Sequence, residues 1–175
     1  MELPIKNKVR VILLNQKDEL LLVLIDDPTT KSKDGSGGSP FWFLVGGGIE
    51  KNESMEEAAV REIFEETGVL AANLQMGPAV WFGEFEFILS GTPVLEKQTF
   101  FVAKTTQTEL SLTNLTESEK GVVRRLEWFS LDRIKNSTEV IFPVDLPEYL
   151  PDIIAGNYPQ KPLCLDLGKP AKKRG

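Results

Sequence analysis

The sequence predicts an α/β fold, a mixed β-sheet with helices packed against it. Three observations predict it: runs rich in Val, Ile and Leu flank one central helical segment, that segment carries its own start and stop residues, and shorter helical spacing returns near the carboxyl end. With 175 residues and 41% hydrophobic content, the chain is long enough for one domain with a substantial core and short for two. The expected division is a single domain over residues 1–168 and a disordered tail, KPAKKRG, over 169–175.

In chain order, VRVILLN (9–15) and ELLLVLI (19–25) read as adjacent strands forming a hairpin about Gln16-Lys17-Asp18. Residues 26–40, DDPTTKSKDGSGGSP, are all polar, Gly or Pro, cannot bury a face, and are expected to form a mobile excursion without structure of its own. FWFL (41–44) is a short strand leading into Gly46-Gly47-Gly48. Ser54-Met55-Glu56-Glu57 fits a capping box, and Gly68 suits a left-handed stop, so a helix is expected from about Met55 to Thr67. AVWFGEFEFIL (79–89) and VLEKQTFFVAKT (94–105) read as strands about a Gly91-Thr92-Pro93 turn, and RRLEWFSL (124–131) as another. Leu131–Ile134 and Leu146–Ala155 have helical spacing, the second expected to be broken by Pro151.

Composition narrows the chemistry. A net charge of −6 disfavours long nucleic acid, because counterion release needs clustered Lys and Arg. No stretch approaches the ~20 apolar residues that span a bilayer, and no leader with a cleavage site is read at the amino end. One cysteine, Cys164, allows no internal disulfide, so a reducing, cytoplasmic setting is expected. With no histidine, Ser-His-Asp and Cys-His catalysis and HExxH zinc sites are excluded, leaving carboxylates, metal ions, Lys or Tyr.

The predicted helix holds Glu62, Glu65 and Glu66 within five positions. At 100° per residue, Glu65 and Glu66 lie about 60° and 40° to either side of Glu62, on one edge of the helix. Like charges at i,i+3 and i,i+4 cost roughly 0.2–0.5 kcal/mol per pair even on an exposed helix. Arg61, four residues before Glu65, cannot neutralise all three. A divalent cation can, and hard carboxylate oxygens suit Mg²⁺, or Mn²⁺. The three glycines directly after a strand let the backbone approach a ligand closely, and Glu53 sits at the same end. The competing reading of the carboxylates alone is a solvated helix face.

From Gly47 the chain reads Gly, five residues, Glu53, seven residues, Arg61-Glu62-Ile63, one residue, Glu65-Glu66, one residue, Gly68-Val69. This pattern, with every fixed position matched, resembles the signature of the Nudix hydrolases; LEWFSLDRI (126–134) is similar to the strand and short helix that often close that domain. Val45, where many members carry proline, is a departure that touches the loop rather than the ligands. The resemblance implies an α/β/α sandwich and Mg²⁺-dependent hydrolysis of a small-molecule diphosphate, in a nucleoside diphosphate linked to another group. It implies Glu62 and Glu66 as principal metal ligands, Glu65 as ligand or water-orienting group, Glu53 as support or metal-linked base, Arg61 as a brace, and Gly47 beside the metal through its backbone. A base from a later loop would be Glu117 or Glu119. A homodimer is compatible with the family.

Two other functions share the fold: a nucleotide-binding sensor that does not cleave, and an isoprenoid-diphosphate isomerase, whose usual active-site cysteine Cys164 is badly placed to supply. Residues 83–87 carry neither the proline associated with ADP-ribose hydrolysis nor the tyrosine associated with dinucleoside polyphosphates, and the substrate-binding residues stay unassigned. Trp42, Trp81 and Trp128 are read as core rather than as stacking platforms.

Overall fold

The computed structural model describes residues 2–28, 30–32 and 40–170. Its elements are β1 (Ile5–Leu14), β2 (Leu20–Ile25), β3 (Thr30–Ser32), β4 (Phe41–Gly48), α1 (Met55–Thr67), a 3₁₀ turn (Ala71–Asn73), β5 (Leu74–Leu89), β6 (Thr92–Thr105), α2 (Glu117–Lys120), β7 (Val123–Phe129), α3 (Leu131–Asn136), α4 (Leu146–Ile154) and β8 (Leu163–Cys164).

The strands form one mixed sheet in the order β3-β5-β6-β1-β4-β2-β7, with β8 on β5. β1 runs parallel to β6 from Ile5↔Leu95 to Leu14↔Lys104, and β8 runs parallel to β5; the other pairings are antiparallel. β1 and β2 read as nearly continuous apolar runs because both their faces are covered. On one face α1 packs through Ala58, Ala59 and Ile63 against Val9, Val11, Leu21, Val23 and Val45. On the other, Ile134, Leu146, Leu150 and Ile153 of α3 and α4 cover Ile12, Leu14, Leu22, Trp42 and Trp81. Helices on both faces give the α/β/α sandwich. Trp42 and Trp81 are fully buried and Trp128 packs at the α1-side core, as the core reading expects.

Several expectations are corrected. The hairpin of β1 and β2 is splayed: the two strands share only the pair Leu14↔Leu20, and β4 lies between them beyond it. Asn15 holds the turn, its Oδ1 accepting from the amides of Lys17 and Glu19, both at 2.9 Å. Within the 26–40 excursion, Thr30–Ser32 is a strand pairing with Phe87–Leu89; residues 29 and 33–39 lie outside the described residues, as do residues 171–175 of the expected tail. The turn between β5 and β6 is the two-residue Ser90-Gly91, with φ of 49° and 82°; Thr92 and Pro93 already belong to β6. α4 continues through Pro151 to Ile154, without the bond that a residue 151 amide would donate to the Pro147 carbonyl one turn back. LTESEKGVV contains the helix α2, closed by a capping box between Thr116 and Glu119.

The long helix forms where the sequence places it. Ser54 Oγ accepts from Glu57 N at 3.1 Å, Glu57 Oε1 accepts from Ser54 N at 3.2 Å, and Gly68 ends the helix at φ 76°. Its buried face includes Glu62 and Glu66 beside Ala58, Ala59 and Ile63, while Phe64 is exposed.

Candidate active site

β4 and α1 together build the site. The glycines at the end of β4 pair with β1, Gly46 against Arg10 and Gly47 against Val9, which lays a side-chain-free strip beside α1. A Cβ on Gly47 would come within 2.6 Å of Glu62 Oε2, so glycine there leaves room for the Glu62 carboxylate. Gly46 N donates to Glu66 Oε1 at 3.3 Å, which ties the second carboxylate to the same strip.

Arg61 gathers the others. Its Nε donates to Glu53 Oε2 at 2.7 Å and its Nη2 to Glu53 Oε1 at 2.8 Å, a bidentate pair. Nη1 donates to Glu62 Oε1 at 2.9 Å and to Glu65 Oε2 at 3.2 Å, and Nη2 also reaches the Gly48 carbonyl at 2.8 Å. The hydrogen bonds from Arg61 hold the Glu53 carboxyl down at about 2, and Glu53 in turn pushes the guanidinium further above its ordinary range.

Glu62 and Glu66 behave in the opposite way. Both are buried, at 6% and 5% exposed, and that burial raises their carboxyl pKa, Glu66 the more strongly, with Glu119 adding repulsion to each. Glu119 reaches them from α2: oxygens of Glu62, Glu66 and Glu119 all lie within 4.8 Å of one another. Glu119 Oε1 is taken by the Thr116 hydroxyl at 2.6 Å and amide at 3.1 Å. Glu117, the other candidate, instead pairs with Lys120 at 2.8 Å and is exposed. The structure thus groups Glu62 and Glu66 with Glu119, while Glu65 and Glu53 sit on Arg61.

These carboxylates open into a cavity of about 530 Å³. Phe41, Phe43, Phe85 and Phe87 line it, the last two stacked with ring centroids 5.7 Å apart, and Lys6, Lys8 and Arg10 of β1 line another stretch. Burial, with Arg10 beside it, lowers the Lys8 ammonium below its ordinary value. Glu96 and Gln98 of β6 complete this region, both buried. None of these cavity residues was singled out from the sequence. A signal existed for two: Glu96 and Gln98 are polar side chains inside a strand otherwise rich in β-formers.

A family model described as the NUDIX domain matches residues 4–146 of the chain. The protein belongs to the Nudix family. A curated relative, a putative 8-oxo-dGTP diphosphatase of Bacillus subtilis (strain 168), is 50% identical over 62 residues, 35% of this chain and 34% of that protein. The uncharacterized Nudix hydrolase YvcI of the same organism is 30% identical over 97 residues, 55% of each chain. The chain therefore spans about a third to a half of the length of these Nudix relatives. Among solved structures, a MutT protein from Methanosarcina mazei Go1 superposes with a TM-score of 0.57 at 23% identity, covering 90% of this chain and 98% of the other. The NUDIX domain of Shewanella oneidensis NrtR, solved with ADP ribose, gives 0.59 at 15% identity over 88% and 90%. At these identities the structural likeness concerns the Nudix fold alone. Among the described residues no helix is long and apolar enough to cross a membrane.

Proposed function

We propose that this Nudix protein is a divalent-metal-dependent pyrophosphohydrolase that cleaves the diphosphate linkage of a nucleotide-type substrate. The observation that carries the reading is the convergence of Glu62, Glu66 and Glu119 within 4.8 Å, two of them buried, at one end of a cavity with aromatic walls. Buried like charges with raised pKa and hard oxygen donors fit Mg²⁺ or Mn²⁺, which Glu62, Glu66 and Glu119 would hold. Such an ion, when bound, supplies charge against the diphosphate oxygens and makes a nearby water more acidic.

The chain's own residues do the rest. Arg61 fixes the Glu62 and Glu65 carboxylates through one guanidinium. Glu53, with both oxygens occupied by Arg61 and its pKa near 2, is a poor proton acceptor and serves as a brace. Phe41, Phe43, Phe85 and Phe87 offer flat apolar surface to a base, worth roughly 1–3 kcal/mol when a base stacks on an aromatic ring. A nucleoside triphosphate or a nucleoside diphosphate derivative fits these two ends, in keeping with the 8-oxo-dGTP named for the bacillus relative.

The test is a release assay over nucleoside triphosphates, sugar nucleotides and dinucleoside polyphosphates with Mg²⁺ and with excess EDTA. Release that needs Mg²⁺ and stops in EDTA is expected. Binding without release across the panel would instead make the protein a nucleotide sensor, and undiminished release in EDTA would refute the metal centre.

A further inference from the structure

Three cations, Lys6, Lys8 and Arg10, occupy alternate positions of β1 and line the cavity. Alternate residues of a strand project to the same side, so the three charges form one row. In register, Lys8 lies against Gly48 and Arg10 against Gly46, the two ends of the side-chain-free strip whose middle glycine leaves room for the Glu62 carboxylate. The three cations are not equivalent. Arg10 is committed, its Nη2 donating to Glu96 Oε1 at 3.3 Å and its guanidinium lying 4.5 Å from the centroid of the Phe43 ring. Lys6 is exposed, where water screens its charge. Lys8 is half-buried, and among the described residues its ammonium has neither a hydrogen bond nor an ion pair. Glu96 and Glu62 attract it only across space, while burial, then Arg10, and more weakly Lys6 disfavour its charge.

A surface lysine ordinarily keeps its ammonium in bulk water. One drawn onto a cavity wall, with like charges to either side and no counter-ion in contact, is costly until an anion reaches it. The other guanidinium on this wall, Arg61, spends its donors on Glu53, Glu62, Glu65 and the Gly48 carbonyl. Lys8, beside the strip that borders Glu62, is therefore the cation left to receive an anionic ligand, and a compact ammonium suits phosphate oxygens as a point charge. We propose that Lys8 is a substrate-binding residue that holds the phosphate chain, its ammonium donating to non-bridging oxygens of the diphosphate, with Lys6 adding attraction at longer range. The proposal rests on the pyrophosphohydrolase reading above for the identity of the anion.

Calorimetric titration with methylenediphosphonate, an uncleavable diphosphate without a base, tests it in saturating Mg²⁺ and again in EDTA. The proteins are the wild type, Lys8→Gln and, as the same change of charge at an exposed turn outside the cavity, Lys17→Gln. In Mg²⁺, Lys8→Gln is expected to bind at least ~10-fold more weakly than the wild type, and Lys17→Gln within ~2-fold of it. Mn²⁺ affinity, measured without phosphate, should not fall in Lys8→Gln, because removing one cation does not repel another. Affinity of Lys8→Gln within ~3-fold of the wild type overturns the proposal. So does an equal loss in Lys17→Gln, which would make the effect one of net charge, or a parallel loss of Mn²⁺ affinity, which would assign Lys8 to the metal centre or the fold. Diphosphonate binding that needs Lys8 but persists in EDTA would sustain the anchor and refute the metal-dependent hydrolase. Binding that needs Mg²⁺ but not Lys8 would do the reverse, and no binding by the wild type in either condition would overturn both.

Discussion

The three consecutive glycines make separate demands on the structure, and alanine at each should fail or succeed for a different reason. At Gly47 the new Cβ would stand 2.6 Å from Glu62 Oε2 and closer still to Oε1, while ordinary contact starts at 3.4 Å, so the carboxylate must withdraw by about 1 Å. The obstacle is the end of a flexible side chain, so stability should change little, with Tm moving less than about 4 °C. Misplacing a catalytic group by roughly 1 Å costs on the order of 10²-fold in rate, and kcat should fall by about that factor. At Gly48 nothing lies within 4 Å of the added methyl, so Gly48→Ala should keep both Tm and kcat. At Gly46 the Cβ would meet the Val9 carbonyl oxygen and come 2.8 Å from Arg10 Cα, backbone that cannot yield. Gly46→Ala should therefore lose about 1–3 kcal/mol of stability. Thermal melts and steady-state rates on the three variants decide the matter. Full turnover in Gly47→Ala, or an equal loss in Gly48→Ala, would refute the claim that Gly47 exists to seat Glu62.

Glu66→Gln removes a buried charge whose pKa is already raised, at nearly constant volume, so turnover should fall at least ~10²-fold while Tm stays level or rises; a melt and a rate measurement suffice. Glu119→Gln should reduce turnover at least ~10-fold and Glu117→Gln leave it unchanged, since only Glu119 joins the cluster; equal rates for the two variants would remove Glu119 from the site. Because the folded pKa of Glu53, about 2, lies below its ordinary 4.5, the Glu53–Arg61 pair contributes stability above about pH 4.5 and loses it as pH falls toward 2. The Tm of the wild-type protein should accordingly drop more steeply over that interval than the Tm of Glu53→Gln.

The long helix was legible because everything that specifies it is local: the Ser54–Glu57 box, the apolar spacing and Gly68 lie within fifteen residues. The Arg61–Glu65 contact was legible for the same reason, being four residues apart, whereas the contact with Glu62 was expected only from the resemblance. Strand identity could be read from composition, but strand order could not. That β4 separates β1 from β2 depends on non-local pairing, and the apolar patterns of all three strands allow several arrangements. Glu119 is more than fifty residues from Glu66, and only the fold decides between it and Glu117. The Arg10–Glu96 ion pair was hidden in the same way, since the two meet across the parallel β1–β6 pair.

The electrostatics of the site divide into two accounts that the sequence merges. Arg61 directs its donors to both oxygens of Glu53, to one oxygen each of Glu62 and Glu65, and to the Gly48 carbonyl. It has nothing left for Glu66, whose hydrogen-bond partner here is the Gly46 amide, and Arg10 is bonded to Glu96. On the proposed reading, the repulsion that a cation would relieve lies among Glu62, Glu66 and Glu119, with Arg10 offsetting part of the Glu66 charge across space. One oxygen of each stands within 4.8 Å of the other two, so like charges from two separate helices converge on one point. The Gly46 amide and the Thr116 cap restrain Glu66 and Glu119 within this group, and burial first, with the neighbouring carboxylates adding repulsion, raises the pKa of Glu62 and Glu66.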